Sequence, residues 1–122
     1  MWCQEHRTPV IPGVATATEM CTALEHDLTA LKFFPAEILG GLRMLQALSA
    51  PFPEVRFLPT GGVKAAHLAD YLRIPGVLAC GGSWIVEPGL VAARDAMEIS
   101  RRAREAAAIV QRSRRGREAD EW

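Results

Sequence analysis

The chain has 122 residues, and its 14 basic and 14 acidic side chains give a formal net charge of zero. That length holds one domain with a modest core, and neutrality gives the molecule as a whole no pull toward nucleic acid or an anionic membrane. A hydrophobic fraction of 49% with 23% charged residues sets it apart from disordered chains and matches soluble globular ones. No run approaches the ~20 apolar residues of a membrane span. Met1 to Arg7 lacks the apolar centre of a secretory signal, so a cytoplasmic location is expected. Cys3, Cys21 and Cys80 are odd in number and form no C-x-x-C pair, which fits reduced thiols better than a disulfide frame or zinc site. His6, His26 and His67 show no ligand spacing, so no metal is expected.

Four strand signals alternate with four helical patterns. A first strand is predicted over about 9–12, where Pro9-Val10-Ile11-Pro12 runs into Gly13. Thr16 and Glu19 are spaced as a capping box, predicting a helix to about His26 that buries Met20, Ala23 and Leu24. A second strand follows at 30–34. Gly40-Gly41 then introduces a helix carrying Leu42, Leu45, Gln46 and Leu48 near one face, ended by Pro51 and Pro53. Strands at 55–59 and 77–80 flank a helix over Ala65 to Leu72. A last, Ala- and Arg-rich helix is predicted from Leu90 to Arg112. Strand and helix alternating at this spacing argue for β-α units around a parallel sheet. Right-handed crossovers then bring the strand C-termini and their turns to one common edge, where α/β folds assemble sites.

The chemistry concentrates on that edge. Alternation puts Ala30, Lys32 and Phe34 on one face of the second strand and Leu31 and Phe33 on the other. A lysine flanked this way is expected to be held from bulk water, and desolvation favours the uncharged amine that can attack a carbonyl. Alone, a lysine at a strand end is more often a snorkelling or ion-paired residue. The third and fourth strands each run into paired glycines, Thr60-Gly61-Gly62 and Cys80-Gly81-Gly82-Ser83. Missing Cβ atoms let backbone N–H groups approach an anion, though such pairs also occur in ordinary turns. Glu37 is the nearest acid after Lys32 in sequence; a proton-transfer role is one reading, and a solvated loop or helix-start carboxylate is favoured over it. Trp84 reads as packing over its loop, and Lys64 as an exposed residue at a helix start.

The motifs Lys32-Phe33-Phe34-Pro35-Ala36-Glu37, Pro59-Thr60-Gly61-Gly62 and Gly81-Gly82-Ser83-Trp84, in this order, resemble the C-terminal half of the 2-keto-3-deoxy-6-phosphogluconate aldolase family. That family also includes the 4-hydroxy-2-oxoglutarate aldolases. The resemblance runs from about Thr8 to Val110. It implies a partial (β/α)8 barrel of about four β-α units over residues 8–112, preceded by an unmatched segment 1–7 and followed by a charged, disordered tail 113–122. It implies a class I aldolase needing no cofactor, with Lys32 as the Schiff-base lysine. Phe34 and Thr60 would contact substrate, and Gly61, Gly62, Gly82 and Ser83 would bind its phosphate. The implied substrate is a 2-keto-3-deoxy sugar acid phosphate, cleaved to pyruvate and glyceraldehyde 3-phosphate.

The family's general-base glutamate and carboxylate-gripping arginine lie on earlier strands, and no residue here matches either motif. The chain therefore reads as a truncated aldolase, expected to form a homo-oligomer (a trimer in the family) or to pair with a missing N-terminal half. The alternative is a non-catalytic phosphosugar- or anion-binding remnant. Seven arginines between Arg101 and Arg117 against a single acid, Glu105, make the C-terminal segment basic. A solvated helix face is favoured there over a nucleic-acid contact.

Overall fold

The computed structural model describes residues 2–120. The elements in order are α1 (Trp2–Glu5), β1 (Gly13–Val14), α2 (Ala17–Leu24), β2 (Ala30–Phe33), α3 (Gly41–Ser49), β3 (Arg56–Phe57), α4 (Ala65–Arg73), a 3-10 turn (Ser83–Val86), α5 (Pro88–Ala92) and α6 (Ala96–Asp120). The strands form a parallel sheet in the order β1-β2-β3, so neighbours in space are neighbours in sequence. Gly13 pairs with Lys32, and Leu31 pairs with Phe57.

One face of this sheet makes the core. Leu31, Phe33 and Phe57 are fully buried beneath α2, α3 and α4, together with Met20, Leu45, Leu68 and Tyr71. Each large apolar side chain so buried contributes about 1.5–3 kcal/mol. The expected capping box opens α2: Glu19 N–H donates to Thr16 Oγ1 while Thr16 N–H donates to the Glu19 carboxylate. Hydrogen bonds donated to its carboxylate by Ala15 N–H, the Thr16 hydroxyl and Thr16 N–H, the first the largest cause, hold the Glu19 carboxyl below its ordinary range.

The structure corrects three expectations. The first strand lies at Gly13–Val14 rather than 9–12. Pro9 and Pro12 carry no N–H, and the ladder to β2 begins only where Pro12 O accepts from Lys32 N–H and Val14 O accepts from Phe34 N–H. The fourth strand, expected over 77–80, is reduced to isolated bridges, Phe57 with Val77 and Thr60 with Gly81. Pro59 lacks the donor that would carry the β3 ladder onward, so pairing resumes only where Pro59 O accepts from Gly81 N–H.

The long terminal helix is likewise divided. Arg94 adopts φ 54°, and Asp95 Oδ1 accepts from Glu98 N–H as a fresh N-cap, separating α5 from α6. Helix α6 then passes Arg112 and continues to Asp120, over part of the segment expected as a tail; positions 121–122 lie outside the described residues. Its Ala, Arg, Glu and Gln content favours helix throughout. Ala106, Ile109 and Val110 set α6 against the core, and its chief neighbour is α4.

Candidate active site

Lys32 stands on the sheet face opposite the core. Gly13 lies beside it on β1, and Leu58 continues the row past β3, donating to Leu31 O and accepting from Phe33 N–H. Among the described residues Lys32 Nζ makes no hydrogen bond or ion pair. Its neighbour is the Phe34 ring, whose centroid lies 4.6 Å away. The expected shielding is incomplete: Lys32 is half-buried, Phe34 is 47% exposed and Leu78 is 52% exposed. Three parallel strands and one bridged segment leave this face open, where a closed sheet would enclose it.

The two glycine turns flank that lysine at the strand C-termini. Thr60 N–H donates to Phe33 O, and Thr60 O accepts from Ala36 N–H, so the exits of β2 and β3 are zipped together. Gly61 and Gly62 take φ of 96° and 82°, a region that only glycine enters freely. A Cβ on Gly61 would meet the Phe34 ring at 3.0 Å, so the turn lies directly on the aromatic neighbour of Lys32. Thr60 Oγ1 donates to Leu58 O at 3.3 Å, the turn-satisfying role.

The second glycine pair lies beside the first through the Thr60–Gly81 bridge. Trp84 folds back over Gly82, its ring filling the space where a Cβ would stand, and packs against the core as expected. Ser83 is exposed at the start of the 3-10 turn. Among the described residues the N–H groups of Gly62, Gly82 and Ser83 donate to no backbone carbonyl. Lys32, Phe34, Thr60, Gly61, Gly62, Gly82 and Ser83 therefore all belong to one edge, and Lys64 is exposed at the N-cap of α4.

Glu37 departs from its expectation. Rather than a solvated carboxylate, it accepts a 2.6 Å hydrogen bond from the Tyr71 hydroxyl, with His67 Nδ1 at 3.5 Å from its other oxygen. Burial, then the bond to Glu37, raises the Tyr71 pKa well above the ordinary phenol range. Tyr71 is the chain's one tyrosine and shares an apolar helix face with Leu68 and Leu72. A buried tyrosine needs a partner for its hydroxyl, and that was the available signal.

Arg102 was also missed. From α6 it donates to Trp84 O at 2.6 Å and pairs with Glu87 and Glu98, tethering the 3-10 turn to the terminal helix. Cys80, beside the second glycine pair, is no nucleophile: burial pushes its thiol up to about 12. A cavity of about 650 Å³ opens at the opposite edge beside Arg56, Pro75 and Leu78, and it holds neither the lysine nor the glycine turns. No three His, Cys, Asp or Glu side chains converge as a metal site among the described residues.

Known proteins resemble this chain in sequence and fold. Residues 1–102 match the family model described as KDPG and KHG aldolase. The chain is 50% identical over 98 residues to 2-dehydro-3-deoxy-phosphogluconate aldolase of Treponema pallidum, covering 80% of this chain and 47% of that protein. It is 45% identical over 102 residues to the KHG/KDPG aldolase of Escherichia coli K12, covering 84% and 48%. The KDPG aldolase of Legionella pneumophila, solved with pyruvate captured as a covalent carbinolamine, superposes with a TM-score of 0.76 at 38% identity, covering 84% and 48%. The enzyme of Zymomonas mobilis, solved with 3-phosphoglycerate, gives 0.79 at 38% identity, covering 88% and 50%. The chain spans about half the length of these relatives, and its parallel β-α units form part of a TIM-barrel-like fold. It belongs to the KDPG/KHG aldolase family.

Proposed function

We propose that this chain carries the Schiff-base half of a class I aldolase site, with Lys32 as nucleophile and the two glycine turns as phosphate cradle. One observation carries the reading: an amine without hydrogen-bond or ionic partners stands on the same sheet edge as both glycine turns. In its neutral form Nζ adds to the ketone carbon of a 2-keto acid, giving a carbinolamine. Loss of water then gives an iminium. In the cleavage direction the 4-hydroxyl proton leaves to a base, and the C3–C4 bonding electrons flow into the iminium, forming an enamine and releasing the aldehyde. Protonation at C3 and hydrolysis return the amine and pyruvate. The relatives' bound pyruvate and 3-phosphoglycerate support both halves of this reading.

The proposed substrate is a 2-keto-3-deoxy sugar acid phosphate yielding pyruvate and glyceraldehyde 3-phosphate, in a cytoplasmic setting. Phe34 would wall the ketone pocket and Thr60 would face the reacting carbon. Gly61, Gly62, Gly82 and Ser83 would hold phosphate by backbone N–H and hydroxyl donors. Full turnover requires a proton acceptor from a complementary half, since a second copy of this chain brings no residue matching the family's general base. One observation favours the alternative of a non-catalytic anion-binding remnant: Glu37, the acid that closes the Lys32 motif, is engaged by Tyr71.

Pyruvate and borohydride followed by peptide mapping tests the proposal. The expected result is a reduced adduct on Lys32, lost in Lys32→Arg because a guanidinium forms no imine here. Labelling at Lys64, or none in a folded sample, rejects the nucleophile assignment.

A further inference from the structure

We infer that Glu37 is a positioning residue: clamped by the Tyr71 hydroxyl, it fixes the Gly61–Gly62 turn against the turn that follows the Lys32 strand. The inference rests on the proposed anion seat at Gly61–Gly62 and adds what holds that seat in place.

One side chain touches every element involved. Glu37 Oε1 accepts from Tyr71 Oη of α4 at 2.6 Å, and Oε2 lies 3.5 Å from His67 Nδ1 of the same helix. That Nδ1 is buried and makes no hydrogen bond in the described structure. Gly62 lies against the aliphatic part of Glu37, where a Cβ at position 62 would come within 2.7 Å of Glu37 Cβ. Gly41, at the start of α3, is less tightly confined by the same pair, since its Cβ would stand 3.3 Å from Tyr71 Oη and 3.5 Å from Glu37 Oε1. The backbone repeats the connection: Glu37 N–H donates to Gly61 O at 3.0 Å, and Gly41 N–H donates to Ala36 O at 2.9 Å.

Geometry assigns the direction of the effect. Gly62 is free of backbone hydrogen bonds through its own N–H, so its orientation depends on the Glu37 stem and on the bond that Glu37 N–H donates to Gly61 O. The Glu37 carboxylate in turn is held by a hydrogen bond from the hydroxyl of Tyr71, whose ring is completely buried. A chain of contacts thus runs from a core tyrosine to the proposed anion-binding amides. Hydrogen bonds to a carboxylate are short and about twice as strong as neutral ones, which suits a carboxylate to this task.

The test uses the full chain and inorganic phosphate, followed at the Gly61 and Gly62 amide resonances, with melting temperature measured alongside. Phosphate is expected to titrate both amides in the unsubstituted protein. Tyr71→Phe removes one oxygen and keeps the ring; it should weaken phosphate affinity about ten-fold, as for loss of one charge-assisted hydrogen bond. Glu37→Gln retains an acceptor oxygen for Tyr71 and should stay within about three-fold, because a neutral acceptor keeps roughly half the bond's strength. Glu37→Ala should match Tyr71→Phe. A folded Tyr71→Phe protein that binds phosphate undiminished, whatever its melting temperature, overturns this inference alone. If Tyr71→Phe does not fold, equal affinity in Glu37→Gln and Glu37→Ala overturns it. No response of either amide in the unsubstituted protein removes the anion seat itself and this inference with it.

Discussion

Lys32 Nζ lies over the Phe34 ring, 4.6 Å from its centroid, and Gly61 rests so closely on the same ring that a Cβ there would stand 3.0 Å from it. The aromatic ring is thus both the nearest neighbour of the amine and the surface on which the glycine turn rests. Phe34→Ala should speed pyruvate–borohydride labelling of Lys32 about two- to five-fold, because the ring favours the ammonium over the attacking amine by the ~0.5–1 kcal/mol held in an exposed cation–π contact. Phe34→Tyr should label at close to the unsubstituted rate. Timed mass spectrometry of the adduct measures both.

Gly62→Ala should destabilise the fold by about 1–3 kcal/mol. It forces an L-residue to φ 82° and drives a methyl to 2.7 Å from Glu37 Cβ. Gly89→Ala is the contrasting case: it lies inside α5 with nothing within 4 Å of its Cβ, so gained helix propensity should stabilise by about 0.5–1 kcal/mol. Thermal melts of the two variants should move in opposite directions.

Removing Arg102 should release the 3-10 turn from α6. The guanidinium holds Trp84 O, Glu87 and Glu98 together, and a lysine cannot span all three with one fixed fork. Arg102→Lys and Arg102→Met should both expose Trp84 and shift its emission to longer wavelength. Unchanged emission in a folded Arg102→Met protein would show that the turn stands without its tether.

The same tether should depend on acid. Hydrogen bonds from Arg101 and Arg102 depress the Glu98 carboxyl from 4.5 to about 2. A depressed carboxylate contributes stability that is present above 4.5 and is lost as pH falls toward about 2. Solvent screening keeps the effect small at this exposed site. Docking of α6, followed by Trp84 emission, should therefore loosen across that window, and Glu98→Gln should abolish this part of the acid response.

The open face and edges predict self-association. β1 presents one unpaired edge, and the segment after Val77 presents the other, while Phe34 and Leu78 expose apolar surface between them. Light scattering should find dimers or larger species, and an aldol-cleavage assay should find turnover far below imine formation, since proton transfer commonly supplies ~10²–10⁴-fold. A monodisperse monomer turning over at a rate in keeping with its imine formation would reject this account.

The site was legible where its signals were local. Lys32 and both glycine pairs could be placed because each motif is contiguous and each follows an apolar stretch. The Thr16–Glu19 capping box was legible for the same reason. Glu37 was misjudged because its partner, Tyr71, lies 34 positions away on a helix whose pattern reads only as core. The break before α6 could have been found: Asp95 and Glu98 carry an N-cap spacing, masked by the high helix propensity around them. The shortened strand after Val77 follows from Pro59 on its neighbour, an effect visible only once the two segments are aligned.

The in-order sheet has a consequence for how the chain reaches its fold. Because β1, β2 and β3 pair in the sequence in which they occur, each crossover closes a short loop before the next strand is needed. The entropy of bringing strands together is met in small instalments, and the mean sequence separation of contacts stays low for a parallel sheet. A nascent chain can therefore settle one β-α unit upon another as it is synthesised, and the turn after the Lys32 strand meets its neighbouring turn as soon as β3 is added.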